Sequence, residues 1–562
     1  MLSFSRRSLA LFAAVPGLTI ASAHAQTAPA QAPIPQPPSA SAGPACADGA
    51  TPYNNPACLD ARLGEGLLTR LWNYQQLEWG HADSPTDPAA PPARRADMPP
   101  APETTPPMPF TEWPYGGTTS LGVNRTASVD SPLMAALGNT GVGRLLADTG
   151  IQIYGWVDPG GNFSTNTQRK PGGNAPISYA YIPNTVQLDQ AVLYIERTPD
   201  TVQTDHIDWG FRVSAIYGEN YRYTTSFGLA SYQYLKYNSV NGYDFPMLYA
   251  ELYIPQVAQG LLLRVGRYIS LPDIEAQLAP NNYMYTHSLT YAFDNYTNEG
   301  IQASLQVSPH LMLQAGISLG TEATFNHAWQ TEANQMPGNV LYPGGHFPID
   351  PGAVPSYTAC ARIDWNDGRD NFYPCADAIN GGQWGYNNVQ WYGMTYYHKF
   401  NDQWHISTEF YDIHENGVAN ILGYVNGNGS YNQAAVNAYL GGGTPFSPQF
   451  IAHNAPNGAN CHNPNVARCN SYATGTLAYI NYSPDSLNNF SLRPELYFDP
   501  QGQRTGTPAT YYDISLGWQH WFSPQIEMRP EIGYYHSNGA KAFNGGTTNH
   551  TLIGAADMIL HF

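Results

Sequence analysis

The chain has 562 residues, of which 42 are acidic and 24 basic, giving a formal charge of −18 at pH 7, and this balance excludes nucleic acid as a partner. Beyond the extreme N-terminus no stretch approaches the ~20 consecutive apolar residues of a spanning helix, which excludes a helical membrane protein. The 40 Tyr, 20 Phe and 12 Trp, beside 53 Gly and only 12% charged residues, suit aromatic girdles at a membrane surface with long polar loops between them.

Residues 1–25 read as a cleaved export signal: Arg6 and Arg7 precede an apolar run that ends in Ala23-His24-Ala25, a small-x-small cleavage pattern. Ser5-Arg6-Arg7 also fits twin-arginine export of folded cargo, but an ordinary positively charged leader accounts for it. Without Arg6 and Arg7 the balance is 22 basic against 42 acidic residues, a net of −20. Residues 26–115 read as a periplasmic extension rich in Pro and Ala that cannot bury a core. Within it Leu63, Leu67 and Leu71, with Leu68 and Trp72, follow helical spacing and predict one amphipathic helix, placed in the barrel mouth or in a short coil.

From about residue 150 to 562 the apolar pattern changes to period two. In 490–499 Phe490, Leu492, Pro494, Leu496 and Phe498 oppose Ser491, Arg493, Glu495, Tyr497 and Asp499, and 510–521 and 526–535 repeat the scheme. Segments around Trp209, Ile301 and Trp404 do the same. A soluble sandwich also alternates, so three further features decide the reading. Strands of about ten residues suit a tilted membrane strand. Short turns alternate with long loops, here roughly 320–385 and 414–472. The chain ends on an amphipathic strand in which Leu552, Ala556, Met558, Leu560 and Phe562 share a face, and a terminal aromatic such as Phe562 resembles the signal read by outer-membrane assembly machinery. The expected fold is all-β, a transmembrane antiparallel barrel of about 14–16 strands, with 16 preferred, in the bacterial outer membrane.

Two tripeptides recur, Arg493-Pro494-Glu495 and Arg529-Pro530-Glu531. Proline removes a ladder donor, so each predicts a bulge carrying a lumenal ion ladder, or charges that satisfy one another. Arg493, Glu495, Arg529 and Glu531 are therefore candidates for the pore wall, and the other polar rows add Arg212, Glu251, Arg264, Glu409, Asp513 and Glu527. An acidic lumen would favour cations; acidic loops would only keep the surface soluble. Six cysteines fall into three local pairs, Cys46 with Cys58, Cys360 with Cys375 and Cys461 with Cys469, which read as disulfides in an oxidising compartment, since none has Cys-x-x-Cys spacing.

The wording of WGFRVSAIYGENYRYTTSFGL from Trp209, and of YAELYIPQVAQGLLLRVGRYISLPDIEAQLAPNNYMYTHSLTYAF from Tyr249, resembles the OmpL-like family of outer-membrane β-barrel porins (porin type 2), over about 154–562. The resemblance implies the barrel and carries little about a solute. The Pro-rich segment with Cys46 and Cys58 lies outside it.

No enzyme is expected. Gly316-Ile317-Ser318-Leu319-Gly320 matches GxSxG, but Ser318 continues a strand where that motif needs a sharp strand-to-helix turn. Asp364 to Asn371 has the look of a calcium loop at an outer loop, yet its glycine stands fifth and no glutamate follows at position 12. No cofactor or metal ligand set is read. The expected function is diffusion of small hydrophilic solutes or ions through a water-filled barrel, with outer-membrane lipids and assembly machinery as partners and homo-oligomers allowed. A plugged barrel acting as a surface anchor or adhesin, with disulfide-closed binding loops and the N-terminal helix as plug, is the alternative. Residues 425–455, with a helical turn over 431–440, are expected to fold inward and narrow the channel.

Overall fold

The computed structural model describes residues 59–79, 121, 131–169, 173–177, 179–224, 233, 240–269, 273–295, 297–319, 354–366, 369–381, 389–401, 403–419, 459–463, 468–485, 487–523 and 525–562. The signal segment, Cys46 with Cys58, and the 425–455 segment expected to fold inward lie outside the described residues.

Seventeen strands form one antiparallel sheet: β1 (Gln152–Ser164), β2 (Val186–Arg197), β3 (Asp208–Gly218), β4 (Gly242–Asp244), β5 (Leu248–Ile254), β6 (Leu261–Ile269), β7 (Thr297–Ser308), β8 (Leu311–Ser318), β9 (Ser356–Trp365), β10 (Asp370–Ile379), β11 (Gln390–Lys399), β12 (Trp404–Ala419), β13 (Arg468–Asp485), β14 (Asn488–Asp499), β15 (Ala509–Ser523), β16 (Ile526–Asn538) and β17 (His550–His561). The short β4 and β5 pair with successive parts of β3, at Ile216–Gly218 and at Asp208–Val213. They make a single stave, and the barrel has sixteen. It closes where β1 meets β17, from Trp156 opposite His561 to Ser164 opposite Ile553, so no sheet edge is left to be satisfied within a bilayer.

The burial of the two strand faces decides the environment. On β15 the polar row Asp513, Ser515 and Gln519 is buried, while Ile514 and Leu516 are 54% and 53% exposed; on β14 Arg493 is fully buried. A soluble sandwich would bury the apolar row, whereas a barrel in lipid turns it outward. Trp209, Val265, Ile301, Ile363 and Ile532 continue the exposed apolar band on other staves.

Turns at the end that carries Phe562 are short, and the long connections lie at the other. The expected loop over 320–385 is shorter than its sequence suggests, because β9 and β10 form a hairpin within it. Asp364 to Asn371 accordingly spans a tight turn at the Phe562 end and no outer loop, and Cys360 and Cys375 are bonded between facing positions of β9 and β10. Cys461 is bonded to Cys469 at the foot of β13. The bulges expected at Pro494 and Pro530 are absent: the register runs unbroken from Asn488 opposite His520 to Asp499 opposite Ala509, and from Ile526 opposite Leu560 to His536 opposite His550. Both prolines lie on the outward face of their strands.

The predicted N-terminal helix appears as two, α1 (Leu59–Leu63) and α2 (Leu67–Glu78). They are split at Gly64 and Gly66, both at positive φ (76° and 82°), where a side chain would be strained. The buried face of α2 is the reverse of the expected one. Arg70, Tyr74 and Glu78 are buried and Leu67, Leu68 and Trp72 exposed, because the Arg70 guanidinium donates to Gly64 O (3.0 Å), Ala135 O (2.9 Å) and Ala136 O (2.8 Å). Those last carbonyls belong to α3 (Pro132–Leu137), which is followed by α4 (Gly141–Thr149). The helices meet the barrel at its rim: Gln75 donates to His561 O (2.7 Å), and the Trp79 ring lies 5.5 Å from outward-facing Phe522.

Phe562 donates to Gly155 O (2.8 Å) and accepts from Gly155 N (3.1 Å), while Ser131 Oγ donates to its carbonyl (3.2 Å). At about 1 kcal/mol for each hydrogen bond, deleting Phe562 is expected to lower barrel stability by roughly 2–3 kcal/mol. Heat-modifiable migration on gels reads this as a lower unfolding temperature; an unchanged transition would contradict it.

Candidate functional site

Between β6 and β7 the chain leaves the wall and enters the lumen. Every residue from 273 to 295 is buried, although connecting segments ordinarily run over the surface. The segment has little regular structure: one 3-10 turn at Ala279–Asn281 and one helical turn, α5 (Leu289–Ala292), whose N-cap Ser288 accepts from Tyr291 N (2.9 Å). Its own side chains replace a ladder. Asn282 bonds Ala276 through both its oxygen (2.7 Å) and its amide (2.6 Å), and His287 Nε2 meets Ala276 O (2.6 Å) with its ring stacked 3.7 Å from Tyr179.

The wall supplies further partners for this loop, and the two Arg-Pro-Glu tripeptides supply several of them. Arg493 pairs with Asp513 on β15 (2.8 Å) and donates to Thr286 O (2.6 Å). Glu495 accepts from Leu289 N (2.9 Å) and from both the amide and hydroxyl of Thr290, which sets a carboxylate at the N-terminus of α5, where the free amides favour an anion. One strand pair on, Arg529 pairs with Asp557 and donates to Ala279 O (2.5 Å) and Asn282 O (3.1 Å). Glu531 accepts from Thr286 N (3.0 Å) and its hydroxyl. The arginine and glutamate of each tripeptide therefore do not pair with each other. Each arginine takes an aspartate on the next strand and loop carbonyls, and each glutamate takes loop amides.

Other walls add anchors. Glu409 on β12 accepts from Ile274 N (2.9 Å), Asp189 on β2 from the Tyr285 hydroxyl (2.9 Å), and Tyr411 donates to Thr290 O (2.6 Å). Burial pushes the carboxyl of Asp294 up to about 7 and that of Asp273 well above the usual range, the latter with help from the neighbouring Asp294 charge; it drives His287 well below its ordinary value.

All ten candidates for the pore wall face inward and are buried. Besides the residues above, Arg212 pairs with Glu196 (2.6 Å), Glu527 accepts from Gln519 (2.7 Å), and Arg264 pairs with Glu251 (2.7 Å), donates to Gln302 (3.2 Å) and lies 4.4 Å over the Tyr249 ring. Ser318, the serine of the GxSxG match, lies at the end of β8 and donates to Asn298 (3.2 Å). What sequence reasoning missed is the inward loop itself. Its signal was the charged pair flanking proline twice at the same phase of two strands, a device for holding something other than each other.

Residues 150–562 match the family described as Putative beta-barrel porin-2, OmpL-like. The chain belongs to that family. Members are outer-membrane β-barrels, and the present barrel is one of them. Solved structures similar to it include the outer membrane channel DcaP of Acinetobacter baumannii (8% identity, TM-score 0.42, 73% of this chain and 97% of that one). The anion-selective porin of Comamonas acidovorans (10%, 0.39, 73% and 99%) and OmpF of Salmonella typhi (9%, 0.44, 73% and 97%) are two others. A search of the curated proteins finds no match.

Within this OmpL-like barrel, Arg529→Ala leaves Asp557 buried without its counter-charge and takes the guanidinium donor from two loop carbonyls. Breaking a buried pair costs about 3–5 kcal/mol, so denaturant unfolding of the detergent-folded variant is expected to show a loss of that order. Arg529→Lys keeps the charge without the planar fork and falls between. A loss for the alanine variant within about 1 kcal/mol, the worth of an exposed pair, would contradict the clamp.

Proposed function

We propose that this outer-membrane barrel passes small hydrophilic solutes through a narrow lumen whose bore is set by loop 273–295. The observation that carries the reading is the attachment of the fully buried loop to the lumenal wall. Its bonds run to Asp189 and Gln190 on β2, to Asp377 on β10 and to side chains on β12 through β16, and Arg493 and Arg529 beneath it are buried. Along β6 to β9 the lumenal row carries Arg264, Gln306 and Arg362. That wall is built of ion pairs, Arg264 with Glu251 and Arg362 with Asp364 (2.8 Å). Paired charges of both signs suit weak ion selectivity, and the acidic excess of the chain then belongs outside the route. No covalent step is part of the reading.

The second reading, a closed barrel that anchors surface loops, draws on the same complete burial of the loop. Planar-bilayer recording separates the two. The passage reading expects discrete openings from the wild-type barrel and a conductance at least about twofold higher when residues 277–290 are replaced by a short Gly-Ser link, since a wider constriction conducts more. Openings seen only in the loop-deleted barrel would favour the anchor, and no change on deletion would remove the loop from the account. Arg264→Glu is expected to shift the reversal potential toward cations.

A further inference from the structure

The two ends of loop 273–295 return to the same place. Asp273 opens the loop, Asp294 closes it just after α5, and Glu409 reaches them from β12; one carboxylate oxygen from each lies within 4.8 Å of the others. All three side chains are buried, at 0%, 0% and 1% exposure. One oxygen of Glu409 is taken by Ile274 N (2.9 Å) and one of Asp294 by Asn295 N (2.6 Å). The other four, both of Asp273, Oδ2 of Asp294 and Oε1 of Glu409, have no donor outside the group among the described residues, while Asp273 and Asp294 lie within hydrogen-bonding reach of each other. None of the three stands in an ion pair there. The nearest guanidinium at this end of the loop, Arg504, is paired with Glu415 (2.6 Å) and donates to the carbonyls of Phe293 (2.8 Å) and Asp294 (2.9 Å).

Buried carboxylates are ordinarily paired or bound to a metal, because an isolated charge taken out of water is costly. Among the described residues the wall elsewhere matches each buried arginine with a carboxylate, and this group alone combines three acids with converging oxygens. We infer that Asp273, Asp294 and Glu409 form a binding site for a divalent cation of the calcium type, which fastens both ends of the inward loop to β12. The donor set is oxygen only, which selects a hard cation over zinc or copper. Two oxygens on opposite sides of a calcium ion at 2.3–2.6 Å stand about 5 Å apart, and the three carboxylate oxygens all lie within 4.8 Å of one another. The site is separate from the Asp364 to Asn371 turn, and it does not depend on whether the lumen conducts.

The test uses the full chain folded in detergent, stripped with EDTA and dialysed. Terbium luminescence and calorimetric titration with calcium are expected to show one site, with calcium displacing terbium. Asp273→Asn is expected to weaken calcium binding at least tenfold, while Asp205→Asn, at an exposed turn, leaves it unchanged. Heat-modifiable migration confirms that each variant is folded; if Asp273→Asn is not, Asp294→Asn and Glu409→Gln carry the comparison. A stripped wild-type barrel that binds neither ion, or variants at all three positions that bind as the wild type does, would overturn the assignment. A conductance that is zero in the wild type would count against the passage reading and leave this one standing.

Discussion

The structure depends on how buried charge is satisfied inside the barrel. Loop 273–295 has no ladder of its own, so its amides and carbonyls need partners from the wall, and the wall meets them with full charges. Charge-assisted hydrogen bonds of this kind are roughly twice as strong as neutral ones. A buried guanidinium, in turn, is tolerated only when a carboxylate and further acceptors surround it. Arg493 with Asp513 and Thr286, and Arg529 with Asp557, Ala279 and Asn282, meet both needs at once. Wall and loop are therefore mutually dependent: removal of either leaves the other with unpaired groups.

The same logic explains why the molecule is inverted relative to a soluble protein. Outside, apolar rows such as Ile514 and Leu516 need only lipid. Inside, ions, tyrosines and amides are buried beside apolar residues such as Leu289, Phe293 and Trp391. Glycine admits the loop where a side chain would not: a Cβ on Gly517 would stand 2.7 Å from Met284, and one on Gly475 2.8 Å from Thr290. The rim helices follow a local version of the rule, in which Arg70 is buried against helix-terminal carbonyls while Leu67 and Leu68 remain exposed.

The barrel was legible in the sequence because period two is a local property, readable strand by strand from Phe490 to Phe498 or Ile526 to Tyr534. Inward direction of the ten charged candidates was legible for the same reason. Their partners were not. Arg493 and Thr286 are 207 residues apart, and Glu531 and Thr286 are 245 apart; no local pattern announces such a contact. Proline at 494 and 530 suggested bulges because it removes a donor, yet the register passes through both. The helix around Arg70 misled in the other direction, since a leucine stripe implies a buried face only when nothing polar competes for the burial. The hairpin of β9 and β10 was hidden in an apparent loop by the Asn, Asp and Gly of its turn.

Hydrogen exchange of the detergent-folded barrel tests the central claim most directly. The amides of Ile274, Thr286, Leu289 and Thr290 belong to a segment without strand structure, yet each is bound by a carboxylate on the wall. They are expected to exchange as slowly as strand amides of β14 and β16. Exchange as fast as that of the surface turn at 539–549 would contradict a loop clamped inside the lumen.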